Sequence, residues 1–286
     1  MFGECHAHIF MNGTDYWQAV RTHREQPDQA VIRSYLERYQ ECGITYIRDG
    51  GDHYGASVYA REIAPEYGIV YRTPVFGIYK KGHYGKIVGR GFDNMREYRD
   101  LVDQAAAQKA DFIKIMTTGL LDFEHQGKVT GTALEPAEVK EMIDIAHDKG
   151  MPVMSHTNGA AAAAAAIEAG VDSLEHGNYM EDETIHMLAE SATVWVPTVV
   201  TVKNLIGDGR YEDEVLVPIW EKTAHNLQLA FRLRAHVALG SDAGAYRVLH
   251  GQGVIDEYEA YCQVLGKSPE VEEWLQDGEK RIREKF

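Results

Sequence analysis

The chain has 286 residues, of which 44% are hydrophobic and 26% are charged, and its formal net charge is −15. This length and composition suit one large globular domain with a sizeable buried core, which we expect to cover residues 1–286. The acidic surface argues against nucleic acid and acidic membranes as partners, since both are themselves negatively charged.

The cysteine content and the amino-terminal residues indicate in which cellular compartment the protein resides. The three cysteines are odd in number and widely spaced, so they do not resemble a disulfide framework. The amino-terminal MFGECHAHIF lacks the basic and long apolar regions of a signal peptide. No run approaches the roughly 18 apolar residues of a membrane span. We therefore expect a cytoplasmic protein.

Short apolar runs alternate with longer amphipathic stretches along the chain. The short runs are rich in Val, Ile and Thr, and several end in Gly or a polar residue, which is typical of strands. Apolar residues at helical spacing lie between them. We predict strands at 3–9, 44–49, 69–77, 111–117, 151–156, 171–176, 193–200 and 236–242, and helices at 29–42, 93–109, 135–149, 159–169 and 181–190.

Eight strands that alternate with helices indicate parallel βαβ units, and a closed (β/α)₈ TIM barrel is the natural arrangement. An open doubly wound α/β sheet is the alternative, but that fold more often carries a glycine-rich phosphate loop after its first strand. Here the first strand ends in His6-Ala7-His8, and no such loop follows. We predict the barrel, with the polar segment 202–215 as a long loop over its mouth.

The first candidate site residues are two histidines in one strand and a lysine in another. His6 and His8 point to the same face because side chains alternate along a strand, so both can reach one metal ion. Lys114 lies between two isoleucines in an apolar strand, where a buried charge needs compensation. It is either a core lysine paired with a carboxylate or a lysine carboxylated by carbon dioxide, whose carbamate can bridge two cations.

Three further polar residues end predicted strands, namely His156, His176 and Asp242. In a barrel the carboxyl ends of different strands converge on one mouth, where catalytic residues lie. Imidazole and carboxylate groups are suitable ligands for Zn²⁺, Mn²⁺ or Fe²⁺. We therefore expect a metal site at this mouth.

The ordered set of His-x-His, Lys, His, His and Asp resembles the amidohydrolase superfamily. Local stretches resemble its imidazolonepropionase and Xaa-Pro dipeptidase-like branch over about residues 3–254. The residues and stretches that carry the resemblance are His6, His8, Lys114, His156, His176 and Asp242, within DFIKIMTTG, MPVMSHTNG, VDSLEHGNYMEDETIHMLAE, VWVPTVV and ALGSDAGAYRVLHG.

The resemblance implies two divalent metal ions, zinc above all, with manganese or iron as alternatives. His6, His8 and Asp242 would bind the first ion. His156 and His176 would bind the second, and carboxylated Lys114 would bridge them. A hydroxide shared by the metals would be the nucleophile. Asp242 would also be catalytic, taking its proton and passing it to the leaving group.

The sequence departs from that branch in two respects. Relatives usually carry a small β-sandwich built from both ends of the chain, whereas here His6 comes almost at once and about 44 residues follow Asp242. We therefore expect a bare barrel. Asn158 stands where many relatives have a second histidine two residues after the metal ligand, so a substrate contact is expected to differ there.

Candidates for substrate contact lie in predicted loops, where exposure to solvent alone would also explain them. They are His83, Tyr84, His125, Asn158 and His250. We predict a binuclear hydrolase that cleaves an amide-type C–N bond of a small molecule. A mononuclear aminohydrolase and a lactone or ester hydrolase are the alternatives. A metal-binding protein without catalysis is disfavoured because Asp242 is present. A homo-oligomer is left open.

Overall fold

The computed structural model describes residues 2–286. Within that range it contains nine strands and eleven α-helices. The strands are β1 Glu4–Ala7, β2 Tyr46–Asp49, β3 Val70–Arg72, β4 Gly77–Lys80, β5 Gly89–Phe92, β6 Ile113–Met116, β7 Val153–Thr157, β8 Ser173–His176 and β9 Val194–Val196. The helices are α1 Tyr16–His23, α2 Gln29–Glu41, α3 Ala56–Ile63, α4 Met95–Ala107, α5 Pro136–Asp148, α6 Ala160–Glu168, α7 Asp182–Ala189, α8 Val200–Lys203, α9 Asp213–Leu233, α10 Gln252–Leu265 and α11 Pro269–Lys285.

The strands form two parallel sheets with the orders β1-β2-β3 and β5-β4-β6-β7-β8-β9. At one junction the backbone N–H of Asp111 donates to the carbonyl of Thr73 at 3.0 Å. At the other, residues 237–243 form the eighth barrel strand, with a bridge to β9 at one end and to β1 at the other. The two sheets therefore close into one barrel, and the predicted (β/α)₈ TIM barrel is confirmed.

The third barrel strand differs from the continuous strand predicted at 69–77. It is divided into β3 and β4 by a short bend at 73–76. Pro74 cannot donate to a ladder, and Val75 has a positive φ of 68°. The bend therefore interrupts the pairing without opening the barrel.

Local sequence signals account for several helix boundaries. The side chain of Asp28 accepts hydrogen bonds from two backbone amides and caps α2. Pro136 begins α5, and Gly150 follows that helix with a positive φ of 73°. The alanine run forms α6, as alanine's high helix propensity predicts.

The segment predicted as a loop at 202–215 is partly helical, so that expectation is corrected. The predicted strand at 193–200 ends early at Val196, α8 covers 200–203, and α9 already begins at Asp213. The buried carboxylate of Glu257 in α10 accepts hydrogen bonds from Val199 N and Val200 N, both at 3.0 Å. This contact with a distant helix stabilises the start of α8, and no local sequence pattern predicts the contact.

The carboxy-terminal helix covers the amino-terminal end of the barrel. A Cβ on Gly278 would lie 1.8 Å from the carbonyl oxygen of Val237, so glycine is required for the close approach of α11. Phe286 belongs to an apolar cluster with Tyr46 and Phe112. That end is therefore packed, and access to the barrel interior is from the opposite mouth. Among residues 2–286, no helix has both the length and the apolar character needed to cross a membrane.

Candidate functional site

The six predicted metal ligands all line one inner cavity of about 50 Å³, together with residues of the neighbouring loops. They come from β1 and the residue after it, from β6, β7 and β8, and from the segment that closes the barrel. The parallel arrangement brings these distant sequence positions to one mouth. The six residues are His6, His8, Lys114, His156, His176 and Asp242.

His6, His8 and Asp242 form the tightest group. Oδ1 of Asp242 lies 3.7 Å from Nε2 of His6 and 3.6 Å from Nε2 of His8. The three residues offer ligand atoms that all lie within 4.8 Å of one another. The backbone N–H of Asp242 donates to the carbonyl of His6 at 2.7 Å, which ties the carboxylate to β1. These three side chains can therefore hold one cation.

His156 and His176 lie beside that group, with ring centroids 4.6 Å apart. Nε2 of His156 is 3.0 Å from the carbonyl oxygen of Gly119. Nδ1 of His176 is 2.6 Å from Oγ1 of Thr198. Each ring thus has one nitrogen engaged by a neighbour, which fixes the ring and leaves the other nitrogen for a ligand.

Lys114 is buried, and its Nζ has no hydrogen-bond partner among residues 2–286. Burial lowers the pKa of this amine to about 8, while the nearby carboxylates of Glu175 and Asp242 act in the opposite direction. An amine with this pKa is partly neutral at physiological pH. Lys114 therefore has the nucleophilic form that carbon dioxide requires.

The electrostatics of the imidazoles also suit metal binding. Burial is the largest cause that lowers the pKa of His8 and His156, each to about 3, and Lys114 acts in the same direction. Burial likewise lowers the pKa of His6 and His176. The rings are therefore neutral near pH 7, which is the form that binds metals. Burial raises the pKa of Asp242 to about 6.

Glu175 and Arg48 are two site residues that the sequence did not reveal. Oε2 of Glu175 lies 2.7 Å from Nδ1 of His6, although the two groups are not aligned as a regular hydrogen bond. Nη2 of Arg48 donates to Oε1 of Glu175 at 3.0 Å, and both residues are fully buried. The Arg48 guanidinium also lies 4.4 Å from the ring centroid of Phe286. Through these contacts, Arg48 and Glu175 position the His6 ring.

An outer cavity of about 370 Å³ adjoins the inner one and shares Tyr84, His156, His176 and Asp242 with it. Its size is typical of small-molecule sites. The Tyr84 ring packs 4.9 Å from that of His156. Asn158 also lines this cavity, and its Nδ2 donates to the Gly119 carbonyl at 3.2 Å. A separate polar cleft of about 490 Å³ contains none of the predicted ligands.

The other three predicted substrate contacts are not among the residues that line either cavity at the mouth. Nδ1 of His83 lies 2.9 Å from the carbonyl of Thr132. His125 is exposed and pairs with Asp122 at 2.9 Å. His250 is buried, and its two ring nitrogens are bonded to Tyr39 and to the carbonyl of Met11.

The sequence is similar to a known family and to several individual proteins. It matches the amidohydrolase family over residues 2–257. An uncharacterised protein of Mycobacterium tuberculosis is 31% identical over 132 residues, which are 44% of this chain and 35% of that protein. Ochratoxinase of Aspergillus niger is 24% identical over 271 residues, which are 84% of this chain and 56% of the enzyme. The chain thus spans between about a third and just over half of these relatives.

The same architecture occurs in solved structures. A Xaa-Pro dipeptidase with methionine bound in its active site superposes with a TM-score of 0.74 at 21% identity. The superposition covers 99% of this chain and 75% of the dipeptidase. At this level of identity the likeness shows the fold, and the chemistry has to be argued from the residues of this chain.

Proposed function

Because this chain belongs to the amidohydrolase family, we propose that it is a metal-dependent hydrolase that cleaves an amide-type C–N bond of a small molecule. The observation that carries the proposal is the inner cavity, in which six potential metal ligands lie below an outer cavity of small-molecule size. Two similar proteins, an ochratoxinase and a Xaa-Pro dipeptidase, have names that agree with hydrolytic chemistry.

The residues of the inner cavity fit a bound cation. Nε2 of His6 and Oδ1 of Asp242 are buried without a hydrogen-bond partner among residues 2–286, which is costly unless another group satisfies them. His6, His8 and Asp242 would hold one ion, and His156 and His176 would hold a second. Lys114, as a carbamate, would supply a carboxylate to both. Zinc is the expected metal, and manganese and iron suit the same donors.

When bound, such ions supply hydroxide from water near neutral pH and polarise a carbonyl group. The remaining work is done by side chains of this chain. Burial raises the pKa of the Asp242 carboxyl above its ordinary value, so this group holds a proton more readily than an exposed aspartate does. It can therefore accept a proton from the attacking water and deliver it to the leaving nitrogen. Tyr84 lines both cavities and can donate a hydrogen bond from its hydroxyl to the substrate carbonyl oxygen.

One observation favours a second candidate, a mononuclear aminohydrolase. Only His6, His8 and Asp242 form a compact three-ligand group within residues 2–286, whereas His156 and His176 lie outside it. An enzyme with one ion would release ammonia from an amidine-like ring and would need no bridging lysine. Lactones and esters are further substrates that the binuclear site would attack.

Metal content per chain tests the proposal, with protein prepared without chelator and with bicarbonate. We expect two ions in the wild type and a loss of at least one in Lys114→Ala. Propionate should restore the lost ion, because it offers a carboxylate in the space of the removed side chain. Lys128→Ala, which alters an exposed lysine in the loop after β6, should keep both ions.

Two results would count against the binuclear assignment. A Lys114→Ala variant that retains two ions would show that the lysine does not bridge them. One ion in the wild type, together with ammonia release from amidine-like rings, would favour the mononuclear aminohydrolase over the binuclear hydrolase. Activity is measured on N-acyl amino acids, dipeptides and cyclic amides. Failure on all of these classes by the fully loaded enzyme would reject amide hydrolysis.

A further inference from the structure

The outer cavity has an unusually aromatic wall. Its rings come from five separate parts of the chain, and Phe123 and Tyr211 contact each other with ring centroids 5.0 Å apart. Aliphatic side chains of the loops after β4 and β6 complete the surface. Such a wall favours a flat or bulky apolar group of the substrate. The five aromatic residues are Tyr16, Tyr84, Phe123, Tyr211 and Tyr246.

Arg210 brings a permanent positive charge to this wall. Its guanidinium lies 4.1 Å from the ring centroid of Tyr246 and 5.4 Å from that of Tyr211. Within residues 2–286, Arg210 is the only lysine or arginine that lines the cavity. Arg210 makes no ion pair or side-chain hydrogen bond with any residue in the range 2–286. Arg210 is exposed, so its donors remain accessible to a ligand that enters the outer cavity.

The acidic residue two positions before Arg210 in the chain is already engaged. Asp208 is paired with Arg247 at 3.0 Å. It also accepts a hydrogen bond from the hydroxyl of Tyr246 at 3.4 Å. These contacts hold the Tyr246 ring under the Arg210 guanidinium and leave the donors of Arg210 available. A planar guanidinium held on aromatic faces presents its donors in the fork geometry that matches a carboxylate.

We propose that the substrate is an N-acylated amino acid, or a related amide, that carries one carboxylate and an aromatic or large apolar group. The carboxylate binds Arg210 and the apolar group binds the aromatic wall. This inference rests on the proposed function and names its substrate class. Arg210 lines the outer cavity but not the inner one, so the carboxylate would bind outside the inner cavity while the amide reaches the ligands within it.

Charge balance favours a carboxylate over a phosphate. A single cation neutralises a monoanion, whereas a phosphate dianion would bring a second negative charge into an apolar cavity.

Binding of matched ligands tests the inference without catalysis. Calorimetry on the metal-loaded protein compares 3-phenylpropionate with 3-phenylpropan-1-ol, which differ in the charged group. We expect Arg210→Met to weaken binding of the acid by about tenfold or more and to leave binding of the alcohol unchanged. Arg96→Met is the control, since Arg96 is an exposed arginine in α4 that lines neither cavity.

Kinetics then separate this inference from the proposed function. N-(4-nitrobenzoyl)-phenylalanine and N-(4-nitrobenzoyl)-2-phenylethylamine contain the same aromatic groups, and only the first has a carboxylate. We expect the wild type to prefer the acid in kcat/KM by about tenfold, and Arg210→Met to abolish that preference.

The outcomes are distinguishable. Equal kcat/KM for the two amides, or acid binding that does not depend on Arg210, would overturn the inference while amide hydrolysis stands. Arg210-dependent binding of 3-phenylpropionate without hydrolysis of either amide would support the carboxylate site and count against the proposed function. Tighter Arg210-dependent binding of phenyl phosphate than of 3-phenylpropionate would overturn the choice of a carboxylate.

Discussion

At the scale of single residues, the sequence was most informative where strand geometry alone decides the position of a side chain. His6 lies in β1 and His8 directly follows that strand, and their ring centroids lie 5.4 Å apart. Glu175 was not identified because alternation along a strand should place it opposite its neighbour His176. In the structure His176 has a positive φ of 66°, which turns it toward the same centre.

Local sequence patterns also fail to identify residues whose role depends on a distant contact. Arg48 is fully buried against Glu175, from a strand more than a hundred residues away in the chain. Arg210 lies in a polar loop, and nothing in the sequence around it indicates a partner or the lack of one. Such roles follow from packing, which hydrophobic periodicity does not encode.

Thr198 provides a test of how a ligand is oriented. Its Oγ1 lies 2.6 Å from Nδ1 of His176, so it can accept the proton of that nitrogen and leave Nε2 free for a metal. We expect Thr198→Val to weaken the affinity for the second zinc ion by about tenfold, because Val keeps the shape but removes the acceptor. Competition with a chromophoric chelator measures the two dissociation constants.

The matched control for this change is Thr193→Val. Thr193 is also buried beside β9, and its hydroxyl donates to the carbonyl of Val171 at the other end of the strand. This variant should lose stability but keep the wild-type zinc affinity. Equal zinc affinities for Thr198→Val and the wild type would show that Thr198 does not orient His176.

At the scale of secondary-structure elements, prediction succeeded where a local signal marks the boundary. Asp28 caps α2, and Pro136 with Gly150 delimits α5. It failed where an element depends on a neighbour, as α8 depends on Glu257. The final barrel strand is irregular, yet its apolar run still identified it, since periodicity reports burial rather than regular pairing.

Glu257 makes the contact between α10 and α8 dependent on pH. Burial raises the pKa of this carboxyl to about 8, well above its ordinary value. The folded state therefore binds the proton more tightly than the unfolded state between about pH 4.5 and 8. In that window the contribution of Glu257 to the free energy of unfolding falls as the pH rises, by up to about 1.4 kcal/mol per pH unit.

Denaturant unfolding at a series of pH values measures this effect. Gln cannot titrate, so we expect the stability of Glu257→Gln relative to the wild type to improve steadily from pH 5 to pH 8. The readout is this slope, because the amide also loses one acceptor and lowers stability at every pH. Parallel pH profiles for the two proteins would show that Glu257 has the same pKa in the folded and unfolded states.

At the scale of the whole molecule, the barrel could be predicted because its rule is topological. Alternating strands and helices imply parallel strands, and parallel strands place their carboxyl ends together. This rule located the mouth before any contact was known. The shape of the outer cavity could not be predicted in this way, because loops after most of the barrel strands build it together with α1 and α8.

Metal removal tests whether the ligands at this mouth act together on the stability of the fold. Four neutral imidazoles are buried there beside the partly buried carboxylate of Asp242, and several of their polar atoms lack a partner among residues 2–286. A metal bound only by the folded state adds about 2.7 kcal/mol at a free concentration one hundred times Kd. We expect chelation to lower Tm by several degrees, roughly 2–4 °C for each kcal/mol, and zinc to restore it.

Two histidine variants test whether the change in Tm on metal removal comes from metal bound at the mouth of the barrel. In His8→Asn, which removes a member of the three-ligand group, the difference in Tm between metal-loaded and chelated protein should shrink strongly. In His236→Asn, which alters a partly exposed histidine that lines neither cavity, the difference should remain. If His8→Asn kept the full shift, the stabilising metal would bind elsewhere. If both variants lost it equally, the shift would reflect general weakening of the fold rather than ligation by His8.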